Sequence, residues 1–153
     1  MGADAKATAT TPAYARGRIV FASNRDGDFE LYIFDLESNA LTQLTYNDVT
    51  DHEPSWSPDG NRLVFVSDRA GDDDLYALDL SCLDTGNHEN CETSRVQLTT
   101  GADQDRSPSW SPDGQRIAYI TDRDDDWAAF SAGDPDYLTV RSIRVPFVVF
   151  ENE

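Results

Sequence analysis

The sequence predicts an all-β protein, a partial β-propeller of about 2.5–3 four-stranded antiparallel blades. Three observations predict this fold. The sequence has an internal repeat, turn residues separate its short apolar runs, and residues 14–125 show no sustained helical period of apolar residues. A propeller closes with about four or more blades. The chain is therefore expected to be a fragment, an open arc, or a subunit whose ring is completed by oligomerisation.

The repeat is clearest in three apolar runs that begin and end with arginine. They are Arg18–Arg25, Arg62–Arg69 and Arg116–Arg123, at offsets of 44 and 54 residues. The ten extra residues of the second interval lie between Leu80 and Leu98. The period is therefore 44 with one insertion, and about 40–50 residues is the length of one four-stranded blade.

Within each unit, the first strand is expected to end at a tryptophan that a Ser-Pro-Asp-Gly turn follows. In such a turn, proline presets φ, aspartate bonds the backbone ahead, and glycine takes the positive φ. The repeated structural residues are Trp56, Pro58, Asp59, Gly60, Trp110, Pro112, Asp113 and Gly114. The second strands are predicted at 62–67 and 116–121, the third at 30–36 and 75–80, and the fourth at about 41–45 and 95–99.

The repeat also predicts how the chain is divided. We expect a poorly ordered or edge-forming arm at 1–16, a partial blade at 17–46, a complete blade at 47–100 and a third blade from 101 to 125 onward. The non-repeat segment 126–153 contains an edge strand candidate at 147–150. That segment either completes the third blade locally or pairs with a second copy.

Composition limits the function. The chain has 29 Asp and Glu against 12 Lys and Arg, a net charge of -17, which argues against a nucleic-acid partner. No apolar run approaches the roughly 18 residues that a membrane span needs, and no signal peptide is seen at the start. The abundant aspartate reflects either a salty environment or the many turns. We expect a protein or peptide partner.

Several motifs recur in register: Pro-x-Trp-Ser-Pro-Asp-Gly, Ser-(Asn/Asp)-Arg, (Glu/Asp)-Leu-Tyr, Asp-Leu and Leu-Thr. Over about 17–125 this pattern resembles the WD40-like PD40 repeat of the TolB propeller family. The resemblance implies a propeller in the periplasm or outside the cell, used for protein interaction or as the gating domain of a serine peptidase. The first unit lacks the tryptophan-containing strand, and the third loses the pattern after Arg123.

Acidic turns follow the second strands and are candidates for a calcium site or for a docking face for a cationic partner, because calcium takes oxygen ligands from closely spaced carboxylates. The candidate ligands are Asp26, Asp28, Asp72 and Asp74. A third acidic turn covers 124–126. The alternative is that these turns are only solvated. The neighbouring Arg25, Arg69 and Arg123 are expected to form exposed local ion pairs, worth about 0–1 kcal/mol each.

The linkers before the first strands differ in sequence between the two copies. Such variation is expected of a binding site tuned blade by blade, and equally of unconstrained loops. In a propeller these linkers enter the central channel. The candidate contacts to a ligand or partner are Asp48, Asp51, His52, Glu53, Asp103, Gln104, Asp105 and Arg106.

Cys82 and Cys91, which are the only two cysteines, bracket the insertion. We expect a disulfide, and hence an oxidising compartment. A metal site that includes His88 and Glu89 is the alternative, although the spacing fits no common zinc pattern.

The sequence gives little support for nucleophilic catalysis, because it lacks a Gly-x-Ser-x-Gly motif and has only two histidines. We predict a non-enzymatic module that binds a protein or peptide through the acidic turns and the linkers, without a cofactor, calcium excepted. The alternatives are the propeller segment of a serine peptidase and an oligomer-completed propeller that binds a glycan or calcium.

Overall fold

The computed structural model describes residues 17–85, 91–122 and 140–144, which form three antiparallel sheets. The strands, in chain order, are β1 (Arg18–Ser23), β2 (Glu30–Asp35), β3 (Ala40–Gln43), β4 (Asp51–Trp56), β5 (Arg62–Ser67), β6 (Asp74–Asp79), β7 (Val96–Gln97), β8 (Asp105–Trp110), β9 (Arg116–Thr121) and β10 (Val140–Arg144). The helix α1 (Cys82–Thr85) and a 3₁₀ turn (Glu92–Ser94) lie between β6 and β7.

Each sheet is one blade, in which strands that follow one another along the chain pair side by side. Blade 1 has the order β1-β2-β3, blade 2 the order β4-β5-β6-β7, and blade 3 the order β10-β9-β8. The pairing repeats at the sequence period, since Ile19 faces Phe34 in blade 1 and Leu63 faces Leu78 in blade 2. The predicted all-β partial propeller is confirmed, as an open arc of one four-stranded and two three-stranded sheets within the described ranges.

The segment after the last repeat contributes β10, which pairs with β9 as the outer strand of blade 3. Several predicted features lie outside the described residues. They are the arm at 1–16, the insertion residues His88 and Glu89, Arg123, the acidic turn at 124–126 and the edge strand candidate at 147–150.

The Ser-Pro-Asp-Gly turns connect the first strand of a blade to the second. The Ser57 hydroxyl donates to Asp59 Oδ1 at 2.6 Å and accepts from the backbone N–H of Arg62 at 2.9 Å. Gly60 takes φ +71°. The turn at Ser111 repeats these bonds, with Gly114 at φ +68°.

The core lies between the blades. Because successive strand residues point to opposite faces, Leu63 and Phe65 of β5 face blade 1, whereas Val64 and Val66 face blade 3. The first layer also contains Leu31, Ile33, Leu44, Tyr76 and Leu78, and the second contains Leu75, Ile117 and Tyr119. Trp56 packs against the first layer and Trp110 against the second. Each buried aliphatic or aromatic side chain contributes about 1.5–3 kcal/mol.

Within the described ranges, no helix has the length and apolar character needed to cross a membrane.

Candidate interaction site at the first strands of blades 2 and 3

The first strands of blades 2 and 3 carry the same irregularity. Pairing with the neighbouring strand shifts register between His52 and Ser55 in β4, and between Arg106 and Ser109 in β8. Glu53 and Ser107, one residue before a proline in each strand, have φ of 50° and 54°. A non-glycine residue in this region costs about 1–3 kcal/mol. Such bulges redirect side chains, here those at the ends of the two linkers.

Five polar side chains meet at these bulges: His52, Glu53, Asp73, Gln104 and Arg106. We call them the inner cluster. Arg106 Nη2 lies 2.5 Å from Asp73 Oδ2, and it donates to Gln104 Oε1 at 3.3 Å. His52 lies between two acids, with Nε2 3.8 Å from Asp73 Oδ1 and Nδ1 3.7 Å from Glu53 Oε1. The structure therefore brings together four of the linker residues predicted to contact a partner.

Hydrogen bonds donated by backbone N–H groups of blade 3 to blade 2 hold the inner cluster in place. The N–H of Ser107 donates to Glu53 Oε2 at 2.6 Å, and the N–H of Asp105 donates to the carbonyl of Asp73 at 2.6 Å. Asp73 is buried, whereas the side chains of Arg106 and Glu53 are 45% and 40% exposed. The cluster therefore has one exposed cation, Arg106, and one exposed anion, Glu53.

Asp51 was predicted with these residues but lies elsewhere, buried beneath Arg69. Arg69 Nη2 donates to both carboxylate oxygens of Asp51, at 2.8 and 2.9 Å, and its guanidinium lies 5.1 Å from the Tyr76 ring centroid. The expectation of an exposed pair at Arg69 is wrong, because its side chain is only 14% exposed. The aromatic rings and Asp51 remove it from solvent.

The remaining linker residues have different surroundings. Asp105, the counterpart of Asp51, is buried, and its Oδ1 has no hydrogen-bond partner in the described part of the chain. Asp48 and Asp103 lie in the loops that precede β4 and β8. These three residues are not part of the inner cluster.

Asp26 and Asp74 of the acidic turns accept hydrogen bonds from residues of the same repeat unit. Asp26 accepts from the Tyr32 hydroxyl at 3.1 Å and from Gln43 at 2.9 Å. Buried Asp74 accepts from Thr99 and Gln97. Asp28 and Asp72 each have one buried oxygen without a partner in the described ranges. Among the residues that the structure describes, no three His, Cys, Asp or Glu side chains are grouped as a metal ion requires.

A buried carboxyl fixes the start of β2 and another fixes the start of β6. Thr45 donates its hydroxyl to Glu30 and accepts the N–H of Leu31 at 2.9 Å. Thr99 has the same role between Asp74 and Leu75. Burial raises the pKa of Glu30 to about 7, and the nearby charges of Asp51 and Asp28 add to the effect. The recurrent (Glu/Asp)-Leu-Tyr and Leu-Thr motifs are therefore structural.

The insertion in blade 2 is closed by a disulfide between Cys82 and Cys91, whose Cα atoms are 5.2 Å apart. Both cysteines are buried in the layer between blades 1 and 2. Directly after the disulfide, Glu92 accepts hydrogen bonds from the backbone N–H of Tyr46 at 2.9 Å and from Arg95 at 2.8 Å. The insertion therefore also joins blade 2 to the linker that follows blade 1.

Sequence reasoning did not single out Asp73 or Glu92. Asp73 is the middle residue of an acidic turn, and neither of its neighbours in the chain takes part in the inner cluster. Glu92 follows an insertion that has no counterpart in the other copies, so the repeat holds no signal for it.

The sequence model of the PD40 family, described as the TolB beta propeller domain, matches residues 2–95. No curated protein matches the chain. The solved structure of a putative TolB from Agrobacterium tumefaciens is similar, with a TM-score of 0.62 and 22% identity over 84% of this chain and 42% of that one. TolB from Acinetobacter baumannii has a TM-score of 0.56 and 22% identity over 84% of this chain and 27% of that one.

A third similar structure is an oligogalacturonate lyase in complex with manganese, with a TM-score of 0.54 and 21% identity over 72% of this chain and 27% of that one. At these identities the likeness concerns the fold alone. The chain spans less than half the length of the two TolB structures. Because the family match covers more than half of the 153 residues, the chain belongs to the PD40 family of TolB β-propeller domains.

Proposed function

We propose that this chain is a non-enzymatic propeller module that binds a protein or peptide partner through the inner cluster, without a cofactor. The observation that carries the proposal is the cross-blade contact of Arg106 with Asp73, in a cluster that His52 extends to the exposed carboxylate of Glu53. The bulged backbone and the interblade hydrogen bonds set these side chains before a partner arrives. Preorganised groups lose little conformational entropy on binding.

The charges indicate the chemistry of the partner. The net charge of -17 attracts a basic segment over long distances, most strongly at low salt. At the cluster, a lysine or arginine of the partner pairs with Glu53, and a carboxylate of the partner pairs with Arg106. The partner is therefore a basic peptide that carries at least one acidic group.

Peptide display tests this proposal. A random-peptide library is selected on the immobilised chain, and enriched peptides are synthesised and measured by fluorescence anisotropy. We expect basic peptides, with Arg106→Ala and Glu53→Ala each weakening binding about tenfold, equivalent to about 1.4 kcal/mol. The control is Arg116→Ala, because Arg116 is exposed in the same blade at the opposite end of the β8–β9 pairing.

Two results would contradict the proposal. One is the absence of any enriched peptide, and the other is binding that Arg106→Ala and Glu53→Ala leave at the wild-type level.

We also propose a periplasmic or extracellular location. The Cys82–Cys91 disulfide supports it, since such bonds persist in oxidising compartments. Alkylation of the protein in intact source cells, followed by mass spectrometry, tests this location. Both cysteines should resist labelling until a reductant is added, whereas full labelling without a reductant would contradict the proposal.

The described residues form three sheets, and a closed propeller has about four or more. The proposal includes a homo-oligomer, a dimer or trimer, that completes the ring.

A further inference from the structure

Blade 1 has an apolar face that no described residue covers. Ile19 of β1, Phe34 of β2 and Leu41 of β3 are directly opposed across the strands, so their side chains share one face. Ile19 is 48% exposed and Leu41 46%. Leu36, directly after β2 on the same face, is 52% exposed. We call these four residues the open face.

The repeat shows what such a face contacts. At an offset of 44 residues, the counterparts of Ile19, Phe34 and Leu36 are Leu63, Leu78 and Leu80. All three counterparts are buried in the layer where blade 2 packs on blade 1. The open face is therefore the surface that a blade uses to pack on the blade before it.

The complementary surface is present in the same chain. Blade 1 packs on blade 2 through Val20 and Ala22, and blade 2 packs on blade 3 through Val64 and Val66. The corresponding residues of blade 3 are Ala118 and Ile120, which are only partly buried. Blade 3 thus presents the type of surface that packs against an open face.

We propose that the open face binds blade 3 of a second copy of this chain, and that the two copies close head to tail into a six-bladed ring. The described residues of each copy form three sheets, and the two contacts are equivalent by twofold symmetry. The contact continues the packing already present between blades 1 and 2.

This inference rests on the homo-oligomer of the proposed function, but its test involves no peptide. The mass of the whole chain is measured by light scattering over a concentration series, at low and high salt. We expect twice the 17.0 kDa of one chain, with tighter association at high salt, because salt screens the repulsion between two chains of charge -17.

Leu41→Glu should weaken dimerisation more than tenfold, and Ile19→Glu should do the same. Phe29→Glu is the matched control, because Phe29 is 43% exposed but lies before β2, outside the open face. Circular dichroism verifies that each variant is folded. A monomer in both salts, an assembly of another size, or a dimer that tolerates Leu41→Glu would overturn the inference. None of these results would affect peptide binding measured on the monomer.

Discussion

Arg69 donates two hydrogen bonds to the buried carboxylate of Asp51, at 2.8 and 2.9 Å, from a position between that carboxylate and the ring of Tyr76. The pair links the loop after β5 to the first residue of β4. Arg25 has the same position in blade 1, where its guanidinium lies 4.5 Å from the Tyr32 ring centroid and its Nε donates to Ser23.

Arg69→Ala should lower the free energy of unfolding by about 3–5 kcal/mol, because it leaves a buried carboxylate without its cation. Arg25→Ala serves as the comparison. It removes a cation–π contact at an exposed site, worth about 0.5–1 kcal/mol. Urea denaturation of the three proteins at neutral pH measures the difference. Equal losses in the two variants would show that the rings, and not Asp51, make Arg69 important.

The local part of the fold could be predicted from sequence. The predicted strands 62–67 and 116–121 agree with β5 and β9. Each is an apolar and β-branched run that follows a Pro-Asp-Gly turn, so residues adjacent in the sequence are enough to predict it. The linkers predicted to contact a partner supply four side chains that meet in the structure, His52, Glu53, Gln104 and Arg106.

The rest depends on how two blades lie against each other. Asp73 joins the inner cluster through contacts with blade 3, since the N–H of Asp105 donates to its carbonyl and Arg106 pairs with its carboxylate. Asp51 and Glu53 are two residues apart, yet one is buried under Arg69 and the other is exposed beside the bulge. The register shift in β4 places their side chains in different surroundings, and no repeat motif predicts that shift.

Glu30 should make stability depend on pH near neutrality. The pKa of its carboxyl is about 7 in the folded chain and near the ordinary 4.5 when unfolded. Between these values the folded state holds a proton that the unfolded state has lost, so this group lowers stability as pH rises from about 4.5 to 7. The full effect is on the order of 3 kcal/mol.

Glu30→Gln removes this titration. The unfolding free energy of the variant minus that of wild type should therefore be larger at pH 8 than at pH 5. Glu37→Gln is the control, since Glu37 is exposed after β2. A wild-type-minus-variant difference that stays constant with pH would show that the carboxyl of Glu30 does not titrate in this interval.

Reduction of the Cys82–Cys91 disulfide should lower the free energy of unfolding by about 2–3 kcal/mol, because it releases a short closed loop in the unfolded chain. The two cysteines are nine positions apart, and their side chains belong to the layer between blades 1 and 2. Urea curves with and without dithiothreitol measure the effect. The Cys82→Ala/Cys91→Ala double variant is the control, since dithiothreitol should leave its curve unchanged. A wild-type curve that is insensitive to reduction would contradict the prediction.

Gly114→Ala should lower the free energy of unfolding by about 1–2 kcal/mol, the cost of left-handed backbone for a residue with a Cβ. Gly114 has φ +68°, and an added Cβ would lie 3.7 Å from the ring of Pro58, an ordinary contact. The backbone, and not crowding, should therefore set the cost. Gly114→Asn should lose less than Gly114→Ala, because asparagine tolerates this region better. The difference should persist in a Pro58→Ala background, since the two effects are independent. If Pro58→Ala instead restores the stability of Gly114→Ala, contact between the two turns is the cause.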